Sequence, residues 1–289
     1  MLVAILTQKK QLMTEIVYKF LPKERITYLD DELLRITQPA ELNDPFEFLP
    51  AIPTIDDFLE ILKKIYTENI ALIEKSKLEK SKKSELKNVQ LREYKTQVNK
   101  LKNNEDGNVK THFLENAVKN LNTHLGILSL TRRWDSTLMW AHYTNSHKGL
   151  CIGFNSQDPY FSQYRKIANV EKIFMPVIYS DARIKVPLEK GVSIDFQVVL
   201  SKSKDWEYEE EERLLVMLRQ ANKVISSKPY DICLYKVPHT LIKEIIVGVN
   251  FPNDELEKVK KFCFENDIEL YKCKISEEKY DMEREKYSH

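Results

Sequence analysis

One stretch constrains the architecture more than any other. From about Ile55 to Leu125 the short apolar runs found on either side give way to a charged, helix-periodic pattern. Leu59, Leu62, Ile65 and Tyr66 keep helical spacing with charges between them, and Lys75 to Asn104 is dominated by Lys, Glu, Ser and Gln. This predicts two or three long, exposed helices with a loop at Asn103 to Asn108. Faces so rich in charge stay in water. The segment reads as a helical hairpin, residues 55–120, inserted into a core domain formed by residues 13–54 and 121–289. Its open roles are a structural arm, a partner-binding arm and an oligomer contact.

Around the insertion the pattern is mixed. Ile16 to Phe20 reads as a strand or helix, and Asp30 to Thr37 as a helix end or second strand, stopped by Gln38-Pro39. Gly126 to Thr131, Gly149 to Phe154, Leu214 to Leu218, Ile232 to Val237, Glu244 to Val249 and Ile268 to Lys274 read as strands. Phe174 to Tyr179 is a strand whose proline suits an edge or a bulge. Ser136 to Tyr143 reads as a helix capped by Asp135 or Ser136. Gly191 to Ser203 and Asn253 to Glu265 also read as helices, the latter with Leu256, Val259 and Phe262 on one side. No regular βαβ rhythm runs through these elements. The expected class is α+β, a mixed or antiparallel sheet core carrying a long charged helical insertion.

The bulk numbers exclude more than they assert. Lys plus Arg is 45 and Asp plus Glu is 44, so no global charge draws the chain to nucleic acid or an anionic membrane. None of the 6 glycines forms a GxGxxG or P-loop pattern, which argues against a Rossmann or Walker nucleotide site. The 4 cysteines, Cys151, Cys233, Cys263 and Cys273, form no CxxC pair. Cys151 and Cys263 read as buried thiols, favouring a reducing compartment. Met1 to Thr7 lacks the basic leader of a signal peptide, and no apolar run approaches the roughly 18 residues of a membrane span. A cytoplasmic protein is expected, with Met1 or Met13 as its start.

Three segments concentrate polar and aromatic side chains. Asn43-Asp44-Pro45-Phe46-Glu47 has the chemistry of a turn anchored by Phe46, which explains every residue but Glu47. Trp134 to Gly149 contains Trp140, His142, Tyr143, His147 and Lys148. On a helix Met139, His142 and Tyr143 would share a face. His142 and His147 are five apart, a poor zinc spacing, and no metal is expected. The third segment is Trp206 to Arg213. In a strand Glu207, Glu209, Glu211 and Arg213 point one way, whereas a helix would pair Glu209 with Arg213. Five crowded carboxylates repel, which raises some of their pKa values.

Taken in order, Tyr18-Lys19-Phe20, Asn43 to Glu47, Ser129 to Thr131, Met139 to Tyr143, His147 to Gly149 and Trp206 to Arg213 form a pattern. It resembles the prokaryotic domain-of-unknown-function 2971 family from about Tyr18 to Gly248. More distantly, the order of basic strand, Ser-x-Thr strand and Glu-x-Glu is similar to ADP-ribosyltransferases. That likeness implies NAD as substrate, in a transferase or NAD glycohydrolase of a defence or toxin system. It implies Glu211 as the ribose-binding carboxylate, Glu209 on the acceptor side, Lys19 or Arg35 on phosphate, and Trp140 or Tyr143 stacking on nicotinamide. Arg213 and His142 complete the expected catalytic set. Tyr18, Asn43, Asp44, Ser129, His147 and Lys148 are the further binding candidates. A family Arg or His is replaced here by Lys19. The implied partners are a nucleotide-type molecule and a protein or nucleic-acid acceptor, with no membrane.

Two alternatives stay open. One is a non-enzymatic nucleotide or nucleic-acid binding module, with Trp140 and Tyr143 stacking a base and Lys148, Arg132 and Arg133 on phosphate. The other is a metal-dependent nuclease or phosphoesterase built on Asp44, Asp135, His142 and the acidic run.

Overall fold

The computed structural model describes residues 16–51, 54–103, 115, 118–119, 121–167, 173–184 and 196–287. The strands are β1 (Ile16–Leu21), β2 (Leu33–Ile36), β3 (Leu125–Thr131), β4 (Leu150–Asn155), β5 (Met175–Pro176), β6 (Ile178–Ser180) and β7 (Ser201–Ser203). They continue with β8 (Glu211–Met217), β9 (Lys223–Ile225), β10 (Ile232–Lys236), β11 (Ile242–Val247), β12 (Glu269–Ile275) and β13 (Met282–Lys286). The longer helices are α1 (Ile55–Lys75), α2 (Lys80–Lys102), α3 (Thr137–Tyr143) and α4 (Asn253–Glu265).

Eight strands form one sheet in the order β13-β12-β11-β4-β1-β3-β8-β5. Its neighbours are antiparallel except β11 and β12. That parallel pair needs a crossover, and α4 supplies it. Val259 and Cys263 of α4 are buried, with Leu256 and Phe262 packed partly against the same core. The central β4 is buried along Leu150 to Phe154, as its uninterrupted apolar run requires. The class is therefore α+β, with a mixed, mainly antiparallel sheet.

The sheet splits at one place. β1 pairs with β4 over six residues, from Ile16–Asn155 to Leu21–Leu150, but with β3 only at Tyr18–Thr131. β3 instead pairs with β8 over its full length. Beyond Tyr18, β1 and β3 diverge, and their backbone groups need other partners. Lys19 fills part of the gap: its Nζ donates to the Ser129 carbonyl at 2.9 Å. A second sheet, β2-β10-β9, is tied to the first by a bridge between Thr37 and Ile127.

Inserted between β2 and β3, α1 and α2 form a charged hairpin in which no residue is fully buried. α1 starts with a capping box between Thr54 and Asp57. The two helices meet through stacked Tyr66 and Tyr94, 4.8 Å between ring centroids, and an Asn69–Gln90 hydrogen bond. The chain turns between them at residues 76–79, earlier than the expected loop. Of that loop Asn103 is a turn, and 104–108 lie outside the described residues.

Several local expectations are redrawn. Asp30 to Thr37 holds both a one-turn helix, Tyr28–Asp31, and β2. The Phe174 to Tyr179 strand is interrupted: Pro176 ends β5 at the sheet edge, and β6 starts a separate pairing with β7. In Gly191 to Ser203 only Phe196–Val199 is helical and 201–203 is a strand; residues 191–195 lie outside the described residues. The charged β13 was not anticipated, because an edge strand need not alternate. Among the described residues no helix is long and apolar enough to cross a membrane.

α3 begins at Ser136, whose Oγ accepts from the Met139 amide at 3.5 Å. After it, Asn145, Ser146 and His147 take φ values of 52°, 58° and 65°, a left-handed reversal into β4. The reversal brings Gly149 against β1. A Cβ there would lie 2.1 Å from the Leu21 carbonyl oxygen, a backbone atom that cannot step aside. Gly149→Ala should destabilise by about 1–3 kcal/mol. Urea unfolding checks this, and an unchanged midpoint would contradict the packing described.

Candidate functional site

The split in the sheet opens onto a cavity of about 500 Å³. Tyr18 and Lys19 come from β1, Ser129 from β3, Met139 and Tyr143 from α3, Arg35 from β2, and Asn43 and Glu47 from the turn after it. Lys202, Glu209 and Glu211 line it too.

Those three belong to a buried charge network. Arg213, fully buried, donates from Nε to Glu211 Oε1 at 2.9 Å and from Nη2 to Glu211 Oε2 at 3.0 Å. Its Nη2 also pairs with Glu47, and Nη1 donates to the Val199 carbonyl at 2.5 Å. Lys202 Nζ lies 2.6 Å from Glu209, 3.2 Å from Glu211 and 3.3 Å from Glu47. Tyr143 donates to Glu209 Oε1 at 2.5 Å and is itself hydrogen-bonded to Asn43. The ring of Trp206 covers Lys202 at 4.8 Å.

Titration follows from these contacts. Burial alone would raise the Glu211 carboxyl, but the adjacent Arg213 and Lys202 cations outweigh it and hold the group at about 2. Glu47 goes the other way: burial raises it against the same two cations, and the nearby Glu211 adds to the rise. Burial opposes the Lys202 charge, yet the three carboxylates win and lift its pKa. Lys19 is compensated less: desolvation lowers it to about 8 although Glu211 and Glu209 pull upward. Tyr143 is raised by burial, then by the Glu209 charge and hydrogen bond. The expectation that crowding would raise carboxylates of the acidic run thus fails for Glu211. Its cations are Arg213, at the end of the same run, and Lys202, just before it.

The acidic run is not a continuous strand. Lys204–Glu209 is a 3₁₀ segment, Glu210 is left-handed at φ 42°, and β8 begins at Glu211. Glu209 and Glu211 still converge on Lys202, through that left-handed residue rather than strand alternation. The Glu209 backbone is held by the Thr131 hydroxyl, which donates to its carbonyl at 2.5 Å.

Of the residues singled out in sequence, Tyr18, Lys19, Arg35, Asn43, Glu47, Ser129, Met139, Tyr143, Glu209 and Glu211 line the cavity. Arg213 lies behind it, holding carboxylates. The others do not line it. Trp140 is at 0% exposure, packed edge-on to Phe20 with its Nε1 donating to the Trp134 carbonyl, so it presents no stacking face. His142 is exposed and contacts Tyr208 Oη at 3.1 Å. His147 faces a separate cavity of about 530 Å³ with Thr137 and Asn250. Lys148 is exposed. Asp44 closes the turn by accepting from the Phe46 amide at 2.9 Å. The buried anchor of that turn is Phe48, not Phe46, which is 59% exposed.

Two of the cations behind the nucleic-acid alternative are in ion pairs. Arg132 pairs with Glu212 at 2.7 Å and Arg133 with Asp135 at 3.0 Å. Among the described residues no group of three His, Cys, Asp or Glu side chains is placed to hold a metal ion. Sequence reasoning missed Lys202, which sits in Ser201-Lys202-Ser203-Lys204, a run indistinguishable from surface. Glu47 had one signal: it was the residue turn chemistry left unexplained.

Arg213→Ala leaves Glu47 and Glu211 buried with Lys202 alone. It should cost about 3–5 kcal/mol in urea unfolding. In the unfolded chain Glu211 titrates near its ordinary 4.5, in the folded one at about 2. Its stabilisation is therefore complete above 4.5 and is lost as pH falls towards 2. Glu211→Gln should flatten this acid limb of the stability profile; an unaltered limb would contradict the pairing.

The comparison with curated proteins found no match, and neither did that with solved structures. Residues 139–214 match the model of the family described as protein of unknown function (DUF2971), a span that carries the α3 wall of the cavity and, in Lys202, Glu209, Glu211 and Arg213, most of its charged floor.

Proposed function

We propose that the cavity binds NAD and that the protein cleaves its bond between nicotinamide and ribose. Three neighbouring strands support the reading by what they deliver to one cavity: Tyr18 and Lys19 from β1, Ser129 from β3, and Glu211 from β8. Its volume, about 500 Å³, falls in the usual range for small-molecule sites.

In this reaction the C1′–N bond breaks and its electron pair goes to nicotinamide, neutralising the pyridinium. The ribose becomes oxocarbenium-like and is captured by water or another nucleophile, which gives up a proton. The protein must stabilise a growing positive charge. Glu47, Glu209 and Glu211 face Lys202 and Arg213, three carboxyl groups to two cations.

The observation that carries the assignment is how the lone pairs are spent. A carboxylate has about four acceptor sites. Glu211 accepts from Arg213 twice, from Lys202 and from Ser129. Among the described residues, the Glu209 carboxylate accepts from Tyr143 and Lys202 alone. We therefore assign the ribose-side role to Glu209 and a positioning role to Glu211, the reverse of what the distant resemblance implies. Lys19 supplies a cation for phosphate.

Glu209→Gln should lower nicotinamide release by about 10²–10³-fold with little loss of stability, whereas Glu211→Gln should lower stability as well. Chromatographic assay of nicotinamide from NAD checks this. Absence of both NAD binding and turnover would refute the reading. Because Lys19 loses its charge above about 8, NAD affinity should weaken as pH rises through that value. Lys19→Met should remove the dependence in calorimetric titrations.

A further inference from the structure

We infer that α2 is a docking helix for double-stranded nucleic acid. The inference does not rest on the NAD reading. In a chain whose net charge is +1, this one helix carries eight cations and two carboxylates. The remainder of the molecule is thus net acidic, and the basic charge is concentrated on an arm.

The charge is also ordered. Asn88, Arg92, Lys95, Asn99 and Lys102 recur at spacings of four, three, four and three, which places them on one face. All five are exposed. The face towards α1 is the opposite one, where Tyr94 stacks on Tyr66 and Gln90 bonds Asn69. Lys82 and Lys87 have carboxylate partners, Glu85 and Glu74. Arg92, Lys95 and Lys102 have none among the described residues. The stripe spans about 21 Å, or about six base-pair steps. Cations at that reach suit a row of phosphates, and the interleaved Asn side chains can both donate and accept.

The same face argues against other polyanions. A helix lying on a membrane buries an apolar stripe beside its basic one. Here the apolar residues Leu86, Val89, Val98 and Leu101 are half-buried, off the stripe. Single strands are held by aromatic platforms, and the one aromatic of α2, Tyr94, is already stacked on Tyr66. A duplex needs neither.

The test is fluorescence anisotropy of the full chain with a labelled duplex DNA, a duplex RNA and a single strand of the same sequence, across a salt series. The duplexes should bind, and log affinity should fall linearly with log salt. The triple variant Arg92→Gln, Lys95→Gln, Lys102→Gln should weaken duplex binding at least about tenfold and reduce the salt slope by about three. All three residues are exposed, and unchanged thermal unfolding checks the fold. The control Lys258→Gln, Lys260→Gln, Lys261→Gln on α4, whose lysines sit beside carboxylates, should bind as the parent does. No duplex binding at low salt, an equal loss in the control, tighter binding of the single strand, or binding only to phosphatidylserine vesicles would each overturn the inference.

Discussion

Arg213 and Lys202 hold the centre of this protein together by pairing with Glu47, Glu209 and Glu211, all of them largely buried. Burying any one of these charges alone would cost several kcal/mol, so each is tolerated only because its partners are present. Four of the partners come from consecutive elements, the short strand β7, the 3₁₀ segment and β8, and the fifth, Glu47, from the distant turn after β2. The network therefore fixes where those segments lie. A turn that would otherwise wander is pinned by Glu47, and β7 is pinned by Lys202.

The cavity exists because two constraints meet next to this network. β3 is committed along its length to β8, which carries Glu211 and Arg213. β1 is committed along its length to β4. The two pairs touch at Tyr18–Thr131 and part beyond it. A split sheet is costly unless the freed backbone finds donors, and the Lys19 ammonium serves that purpose at the Ser129 carbonyl. The same lysine is left poorly compensated and easily deprotonated. Structural repair and a tunable cation are thus one side chain.

Much of the architecture was readable from local pattern. The apolar runs of β3, β4, β8, β10, β11 and β12 and the amphipathic α4 lie close to where periodicity puts them, because burial on a sheet or one helix face imposes that periodicity on the residues themselves. The charged hairpin was readable for the converse reason: its faces meet water. Less was readable where tertiary contact overrides propensity. The run from Trp206 to Arg213 offered strand and helix readings. The chain took a 3₁₀ turn and a left-handed residue instead, because Lys202 and Arg213 pull Glu209 and Glu211 to one point. On α3, Tyr143 and His142 are adjacent and equally polar, yet one lines the cavity and the other faces solvent.

The sequence by itself determined the fold class, the existence of the helical arm, the turn at Asn43 to Phe46, and the residue types from which a site could be built. These depend on periodicity and turn chemistry, which are properties of a few consecutive residues. Only the tertiary structure decided that Glu47 and Arg213, 166 positions apart, share a hydrogen bond. It alone decided that Lys202 is buried rather than solvated, that Trp140 is core, and that, among the described residues, Glu209 meets fewer donors than Glu211. The reason is that the state of a charge is set by the whole environment around it, and that environment is assembled from segments with no local signal of their meeting.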